Sequence, residues 1–304
     1  MLLTFNMLIK KLKEYFTYTY IEKISRVCYY MRRVALKIAY IGSNFHGYQR
    51  QPNYRTVEGE LLRVFKETNI IEDTWTAHYS VAGRTDKGVH STGNVISFIT
   101  DEDIHINQLN GLLPDDIKII GEARVPYGFK VRFPLTRTYT YIQPISPFEK
   151  KNLDITKMHV AMESFIGKHN FRNFSKRNEK NPNRKIIDVN LEVDEDVLIF
   201  TIVGESFLWN MVRKMVTSVM EVGYGKLDIN DINELLKPKE LRQFIRLQPA
   251  PANGLILSDM EYKNIKFKDS EYAKNKLVEF LKKEYMLHEQ EKKADCRLIK
   301  ILKK

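Results

Sequence analysis

Short apolar runs of strand type alternate with amphipathic runs of helix type twice along this chain, once over about residues 32–135 and again over about 136–262. Several of the strand-type runs are joined by tight turns, which suit antiparallel neighbours, whereas parallel neighbours need long crossovers. The pattern therefore predicts an α+β fold of two similar α/β halves with mixed or antiparallel sheets, rather than a doubly wound parallel sheet.

Individual elements follow from periodicity and capping signals. Strand-type alternation begins at about Arg32, and Thr56 stands where a helix N-cap is expected. Residues 138–145 alternate as a strand. The runs 187–193 and 197–203 are separated by a polar three-residue turn and predict a hairpin.

The second half carries two further helix signals. Asp154 is placed to cap a helix, with Gly167 where a left-handed C-cap would lie. Apolar residues at helical spacing predict a longer helix over about 206–221, ended by Gly223. Strand character returns at 255–257.

These elements suggest where the folded body begins and ends. Residues 1–30 show no clean period, and we expect an extension outside the fold or the product of an upstream start codon. The body then divides into an N-terminal half, 31–135, and a C-terminal half, 136–262. Residues 263–304 are rich in Lys and Glu and predict a charged, solvent-facing helical tail.

The net charge of +11 favours a polyanionic partner, but only weakly. The two ends, 1–30 and 263–304, carry +3 and +6, which leaves only +2 for the body. A solvated charged surface is an equally good interpretation of charge alone. A basic cluster in the body is nevertheless a candidate for phosphate contacts: Lys176, Arg177, Lys180, Arg184 and Lys185.

Other classes of protein find little support. No apolar run has the roughly 18 residues of a membrane-spanning helix, and charged residues interrupt residues 1–30 as a signal peptide. The two cysteines, Cys28 and Cys296, stand near opposite ends and support neither a disulfide framework nor a thiolate metal site. We therefore expect a cytoplasmic protein with no membrane association.

Residues 82–90 read Ala-Gly-Arg-Thr-Asp-Lys-Gly-Val-His and lie between two predicted strands. The two glycines permit unusual dihedrals and the close approach of a ligand. Arginine can pair with phosphate or stack on a base, and neighbouring cations favour an ionised Asp86. On turn statistics alone, an ordinary surface turn would be the better interpretation.

The same segment resembles the signature of the TruA family of tRNA pseudouridine synthases, A-G-R-T-D-x-G-V-H, which it matches at every fixed position. Further elements of that family recur in the same order over about residues 34–262. They are the segments 42–51 (G-x-x-F-x-G-Y-Q-x-Q), 113–117 (L-P-x-D-I), 137–141 (R-x-Y-x-Y), 207–213 (F-x-x-x-M-V-R) and 250–255 (A-P-x-x-G-L). Tyr48 replaces a tryptophan common in bacterial members, and residues 129–133 depart from a bacterial F-x-A-R element, which suggests an archaeal-like member.

The resemblance implies a pseudouridine synthase fold, with the two halves flanking a central catalytic cleft, and a nucleophilic Asp86. It implies that Arg213 pairs with this carboxylate, that Tyr139 stacks on the target base and takes part in proton removal, and that Arg84 fills the space of the flipped nucleotide. Leu255 is expected to contact the substrate. Neither metal nor cofactor is needed.

The resemblance also implies a homodimer that binds tRNA across both subunits and modifies uridines of the anticodon arm, among positions 38–40. Lys87 and His90 are expected to contact RNA together with Lys176, Arg177, Arg184 and Lys185, although a structural histidine is at least as good an interpretation of His90. Two alternatives stay open: a non-catalytic RNA-binding or chaperone protein that retains the fold, and a metal-dependent nuclease using Asp86, Asp115 and Asp116.

Overall fold

The structure is a computed structural model that describes residues 31–175, 180–239, 241 and 245–303. The expected extension, residues 1–30, lies outside the described residues. Lys176 and Arg177 of the predicted basic cluster lie outside them as well.

The N-terminal half alternates strands with helices, as the pattern predicted. Thr56 caps the first helix as expected, because its side chain accepts a hydrogen bond from the backbone N–H of Gly59. The elements of this half are β1 (Arg32–Tyr40), α1 (Val57–Glu67), β2 (Ser80–Val81), β3 (His90–Thr100), α2 (Ile106–Leu112) and β4 (Ile117–Arg124).

The C-terminal half repeats the alternation and is followed by the tail. Its elements are β5 (Thr136–Pro144), α3 (Pro147–Asn152), α4 (Ile155–Glu163), β6 (Gly167–Asn170), β7 (Asn183–Val193), β8 (Val197–Gly204), α5 (Met211–Gly223), α6 (Ile229–Leu235) and β9 (Leu255–Glu261). The tail adds β10 (Lys268–Asp269) and α7 (Glu271–Leu302).

The ten described strands form one sheet. Nine of them follow the order β10-β4-β1-β3-β9-β5-β8-β7-β6, and β2 pairs with the far end of β3. Strands of the N-terminal half lie on one side and strands of the C-terminal half on the other. The two sides meet where β3 runs parallel to β9, and the other described pairings are antiparallel. The predicted α+β class with mixed pairing is thus confirmed.

The junction between the halves depends on a close backbone approach at Gly93. A Cβ built on this residue would lie 2.4 Å from the Asp259 Cα atom, so a side chain would force β3 and β9 apart. Two residues earlier, the Ser91 hydroxyl donates a 2.8 Å hydrogen bond to the carbonyl of Leu257. Both contacts hold the start of β3, and hence the loop before it, against the C-terminal half.

Three local predictions were wrong. The helix predicted over 206–221 begins only at Met211, because Asn210 takes a left-handed φ of 65° that a continuous helix cannot contain. Gly223 is its last helical residue rather than its stop. Gly167 does have a positive φ, but it starts β6 after helix α4 has already ended at Glu163.

The predicted hairpin is present as β7 and β8, but its alternation is broken near the start of β7. A bulge between Ile186 and Asp188 buries Ile186 and leaves Ile187 exposed. Because of the extra residue, side chains before the bulge point to the opposite face of the sheet from the one that the alternation predicted.

The tail helix α7 contacts the body through its first turns. Ala273 and Leu277 pack against Ala39 and Ile120, and most of the rest of the helix is exposed. Among the described helices, none combines the length and the hydropathy needed to span a bilayer.

Candidate active site

The segment 82–90 forms a loop between β2 and β3 that is held by the body of the N-terminal half. The buried amide of Asn94 accepts from the N–H of Gly83 at 3.2 Å and donates to its carbonyl at 2.8 Å. Thr85 is held twice, by the Tyr40 hydroxyl at 2.8 Å and by the backbone N–H of Tyr48 at 3.0 Å. These bonds fix the backbone on the N-terminal side of Asp86.

His90 fixes the other end of the loop. Its Nδ1 accepts from the N–H of Gly42 at 3.1 Å, and its Nε2 lies 3.1 Å from the carbonyl of Asn253. The proton therefore belongs on Nε2, since Nδ1 is used as an acceptor. Burial lowers the pKa of His90, which keeps the ring neutral. With both nitrogens engaged by backbone groups, the arrangement favours the structural role over phosphate contact.

Asp86 projects from this loop towards the C-terminal half, with its side chain 41% exposed. Both carboxylate oxygens lie 3.0 Å from the indole Nε1 of Trp209. The closest Arg213 nitrogen, Nη1, lies 3.9 Å from Oδ2. The expected Asp86–Arg213 ion pair is thus present at long range, and the short hydrogen bonds come from Trp209.

Arg213 lies in the first turn of α5, and two hydrogen bonds hold its guanidinium beside Asp86. Its Nε donates to the carbonyl of Ala250, and its Nη1 donates to the Asn210 side chain at 3.3 Å. Burial lowers the pKa of the guanidinium while the charge of Asp86 opposes that effect. An arginine stays charged at neutral pH under such shifts, so a fixed positive charge faces the carboxylate.

Tyr139 extends from β5, and its ring meets Phe207 edge to face at a centroid distance of 5.0 Å. Burial raises the pKa of the Tyr139 phenol, partly offset by the charge of Arg137. The phenol therefore stays protonated at neutral pH. A proton donor or a stacking surface fits this environment better than a phenolate base, which works best with a pKa near the working pH.

Asp86, Arg213 and Tyr139 open onto one cleft of about 320 Å³ between the two halves of the sheet. Arg84 and Leu255 line the same cleft, so five of the residues singled out in the sequence come together there. Its remaining lining is mostly apolar: Val89, Phe207, Leu208, Met211 and Val212, with Thr85, Trp209 and Asn210 adding polar groups. An aromatic and aliphatic slot with one acid and two guanidinium groups suits a flat base on a phosphate backbone.

The predicted RNA contacts that the structure describes lie partly at this cleft and partly on β7. Arg84 and Lys87 are exposed beside Asp86, with Lys87 Nζ 3.4 Å from the His46 ring. Lys185 is exposed on β7 and pairs with Glu205 at 3.3 Å, next to the loop that carries Phe207. Arg184 donates to the carbonyl of Asn181 at 2.8 Å and to that of Asn183 at 2.7 Å.

Asp115 and Asp116, considered above as metal ligands, are engaged by different cations. Arg55 donates to both oxygens of Asp116, at 2.8 and 2.9 Å, whereas the exposed Asp115 lies 3.5 Å from Lys118. Among the described residues, no group of three His, Cys, Asp or Glu side chains is arranged to hold a metal ion. The geometry therefore lends no support to the nuclease interpretation.

Trp209, Phe207 and Asn210 are site residues that the sequence reasoning missed. All three stand inside the 207–213 motif, which was read as the start of a helix. The left-handed turn at Asn210 converts them into a loop that faces Asp86. The available signal was an aromatic pair close to a motif arginine, one of the pair being one of only two tryptophans in the chain.

Comparison with known proteins identifies the family of this chain. The profile of the family described as tRNA pseudouridine synthase matches residues 161–263. The tRNA pseudouridine synthase A of Methanothermobacter thermautotrophicus is 45% identical over 259 residues, covering 85% of this chain and 92% of that protein. The corresponding proteins of Methanobrevibacter smithii and Archaeoglobus fulgidus are 41% and 39% identical, each covering 80% of this chain and 88% of its counterpart.

The mixed sheet, the 82–90 motif at the junction of its halves and these relatives together place the chain among the pseudouridine synthases, enzymes that isomerise uridine in RNA. Within that class the chain belongs to the family of tRNA pseudouridine synthase A. The resemblance seen in the motifs, including its archaeal character, is confirmed.

Proposed function

We propose that this chain converts uridine to pseudouridine in the anticodon arm of tRNA, among positions 38–40, with the carboxylate of Asp86 as nucleophile. The main support for this proposal is the position of the Asp86 carboxylate. It lies at the wall of an apolar cleft, 3.9 Å from a fixed guanidinium and on the same cleft as Tyr139 and Leu255.

The reaction breaks the N1–C1′ bond of uridine, turns the detached uracil and forms a C5–C1′ bond. The C5 proton is then lost and N1 gains one, so atoms and charge balance without an oxidant, a reductant or a metal. Asp86 takes part by adding to the base or to the sugar, or by assisting removal of a sugar proton. In each version an ionised carboxylate must be held close to the ribosyl-uracil.

The surrounding residues supply orientation and containment. Arg213 places a positive charge 3.9 Å from the Asp86 carboxylate and so helps to orient it. Tyr139 offers a ring for the base to stack on, and Leu255 closes the apolar side of the cleft. Arg84, exposed at the mouth, would enter the space vacated by the flipped nucleotide and offset the few kcal/mol that base extrusion costs.

Contacts with the rest of the RNA are part of the same proposal. Lys87, Arg184 and Lys185, with Lys176 and Arg177, would bind phosphates and fix the register of the RNA without reading its sequence. His90 would act indirectly, by holding the loop. We further propose a homodimer in the cytoplasm; sedimentation of the purified protein as a monomer at working concentration would contradict the dimer.

The test uses unmodified tRNA transcripts and maps pseudouridine by position. The wild type is expected to modify anticodon-arm uridines among 38–40, and Asp86→Ala is expected to modify none. Asp115→Asn is the matched control, because Asp115 is an exposed acid in another loop, and it should modify as the wild type does. Modification by Asp86→Ala would overturn the role of Asp86. Modification confined to other arms would overturn the proposed target.

A further inference from the structure

Trp209 makes the closest polar contacts to the Asp86 carboxylate among the described residues. A single indole N–H is shared between Oδ1 and Oδ2, each 3.0 Å from Nε1. An N–H centred on both oxygens opposes rotation of the carboxylate about its Cβ–Cγ bond. Arg213, at 3.9 Å, contributes charge without a hydrogen bond of normal length.

Trp209 is itself held by the elements on either side of it. Leu208 before it and Met211 after it are buried in the core of the C-terminal half. Between them, the left-handed turn at Asn210 aims the indole back towards the β2–β3 loop, and the Asn210 amide binds Arg213. The indole and the guanidinium are therefore presented to Asp86 from one anchored segment.

The indole also stands between two clefts. Asp86, Trp209, Asn210 and Arg213 line both the cleft of about 320 Å³ and a second one of about 550 Å³ that contains Lys87. The side chain that contacts the carboxylate thus borders both the slot proposed for a base and this second cleft.

We propose that Trp209 is a positioning residue for Asp86, an inference that rests on the proposed function. Its N–H holds the carboxylate plane before the reaction. When one oxygen forms its bond to the substrate, the other keeps the indole hydrogen bond, so the free oxygen does not have to find a new partner. The indole forms no bond with the substrate in this scheme.

Two substitutions separate the N–H from simple packing. Trp209→Phe keeps an aromatic ring and removes the donor. Trp209→His restores a donor, because histidine Nε2 stands the same number of bonds from Cβ as indole Nε1. Trp75→Phe is the matched control, since Trp75 is 84% exposed and lies in another loop.

The first measurement is steady-state pseudouridine formation on a tRNA transcript. Trp209→Phe should lower kcat about tenfold, the loss expected for one hydrogen bond to a charged group, with KM changed less than about twofold. Trp209→His should recover most of that loss, and Trp75→Phe should match the wild type. Equal kcat for Trp209→Phe and the wild type would overturn the proposal, as would a histidine variant no better than the phenylalanine one.

The second measurement does not depend on turnover. The chain has two tryptophans, so Trp209 is the only indole fluorophore in a Trp75→Phe protein. Adding Asp86→Ala should change the emission of Trp209, and adding Asp115→Asn should not. An emission unaffected by Asp86→Ala would overturn the contact. If Asp86→Ala is inactive while Trp209→Phe is fully active, only the inference about Trp209 fails; an active Asp86→Ala removes the proposed function itself.

Discussion

Arg213 differs from an ordinary surface arginine in having its guanidinium bound on two sides. Its Nε donates to the Ala250 carbonyl, and its Nη1 donates to the side-chain oxygen of Asn210. These two bonds hold Nη1 3.9 Å from the Asp86 carboxylate. A lysine would keep the charge, but its single nitrogen cannot reproduce the two bonds that separate nitrogens of the planar guanidinium make.

Arg213→Lys is therefore expected to lower kcat by about tenfold or more, because the charge is no longer fixed in place. Steady-state pseudouridine formation on a tRNA transcript measures the effect. Arg63→Lys is the matched control, since Arg63 is an exposed arginine paired with Glu67 on α1, and its kcat should not change. A wild-type rate for Arg213→Lys would show that charge alone is enough.

His90 makes the stability of the loop depend on pH. Burial lowers the pKa of His90 in the folded protein. Near pH 6 the His90 side chain is therefore protonated to a greater extent in the unfolded chain than in the folded protein. The stabilisation is therefore complete above the unfolded pKa of about 6.5 and is lost progressively as pH falls towards the lowered folded value.

As the pH is lowered from about 7 to about 5, the midpoint temperature of thermal unfolding should decrease. His90→Gln should make this decrease smaller, because glutamine does not titrate. His159→Gln, at an exposed histidine on α4, should keep the wild-type slope. The same slope in His90→Gln as in the wild type would contradict the assignment.

For individual residues, the sequence was informative where a family motif assigned a role to a position. Asp86, Arg213, Tyr139, Arg84 and Leu255 were all selected from motif positions, and all five line one cleft. Trp209 was missed because nothing in a single sequence distinguishes a hydrogen-bond donor from a packed ring. The indole points towards Asp86 because Asn210 has a left-handed φ, and the surrounding structure imposes that backbone conformation.

Among the elements, the pairing of β3 with β9 has the largest consequence for the site, because it joins the two walls of the cleft. The approach at Gly93 leaves no space for a side chain: the added Cβ would meet the Ser258 carbonyl oxygen and the Asp259 Cα atom, both at 2.4 Å. Backbone atoms cannot give way as the end of a flexible side chain can.

Gly93→Ala should therefore lower the free energy of unfolding by about 3 kcal/mol and reduce activity, because the strands must separate. Gly111→Ala, in helix α2, meets no atom within 4 Å and should leave stability unchanged or raise it by up to about 1 kcal/mol. Denaturant unfolding of both variants measures the difference. Equal stabilities would contradict the close approach.

Element types were predictable from the pattern, and element boundaries less so. The N-cap at Thr56, the strand from Arg32 and the β7–β8 hairpin were confirmed. The start of α5 and the bulge at Ile186 were not foreseen, since a left-handed residue and an inserted strand residue leave the apolar spacing almost unchanged.

For the whole molecule, we expect the affinity for a polyanion to depend on which basic side chains lie near the cleft. Lys185 and Lys226 each form one exposed ion pair, with Glu205 at 3.3 Å and Glu221 at 3.2 Å. Lys185 adjoins the loop before α5, whereas Lys226 follows the far end of that helix.

Lys185→Ala should weaken tRNA binding and reduce the slope of log Kd against log salt by about one, because one phosphate contact is lost. Lys226→Ala should leave the slope unchanged. Binding titrations at several salt concentrations decide the matter. Equal slopes for the wild type and Lys185→Ala would remove Lys185 from the proposed RNA surface.

If the chemistry of the cleft depends on the carboxylate of Asp86, as we propose, tritium release from tRNA labelled at uridine C5 measures that dependence. Release reports loss of the C5 proton, and with enzyme in excess it measures a single turnover. Asp86→Asn, which keeps the size and one oxygen acceptor, is expected to bind tRNA with a Kd close to that of the wild type and to release no tritium. Release by Asp86→Asn at a rate within about tenfold of the wild type would contradict the account.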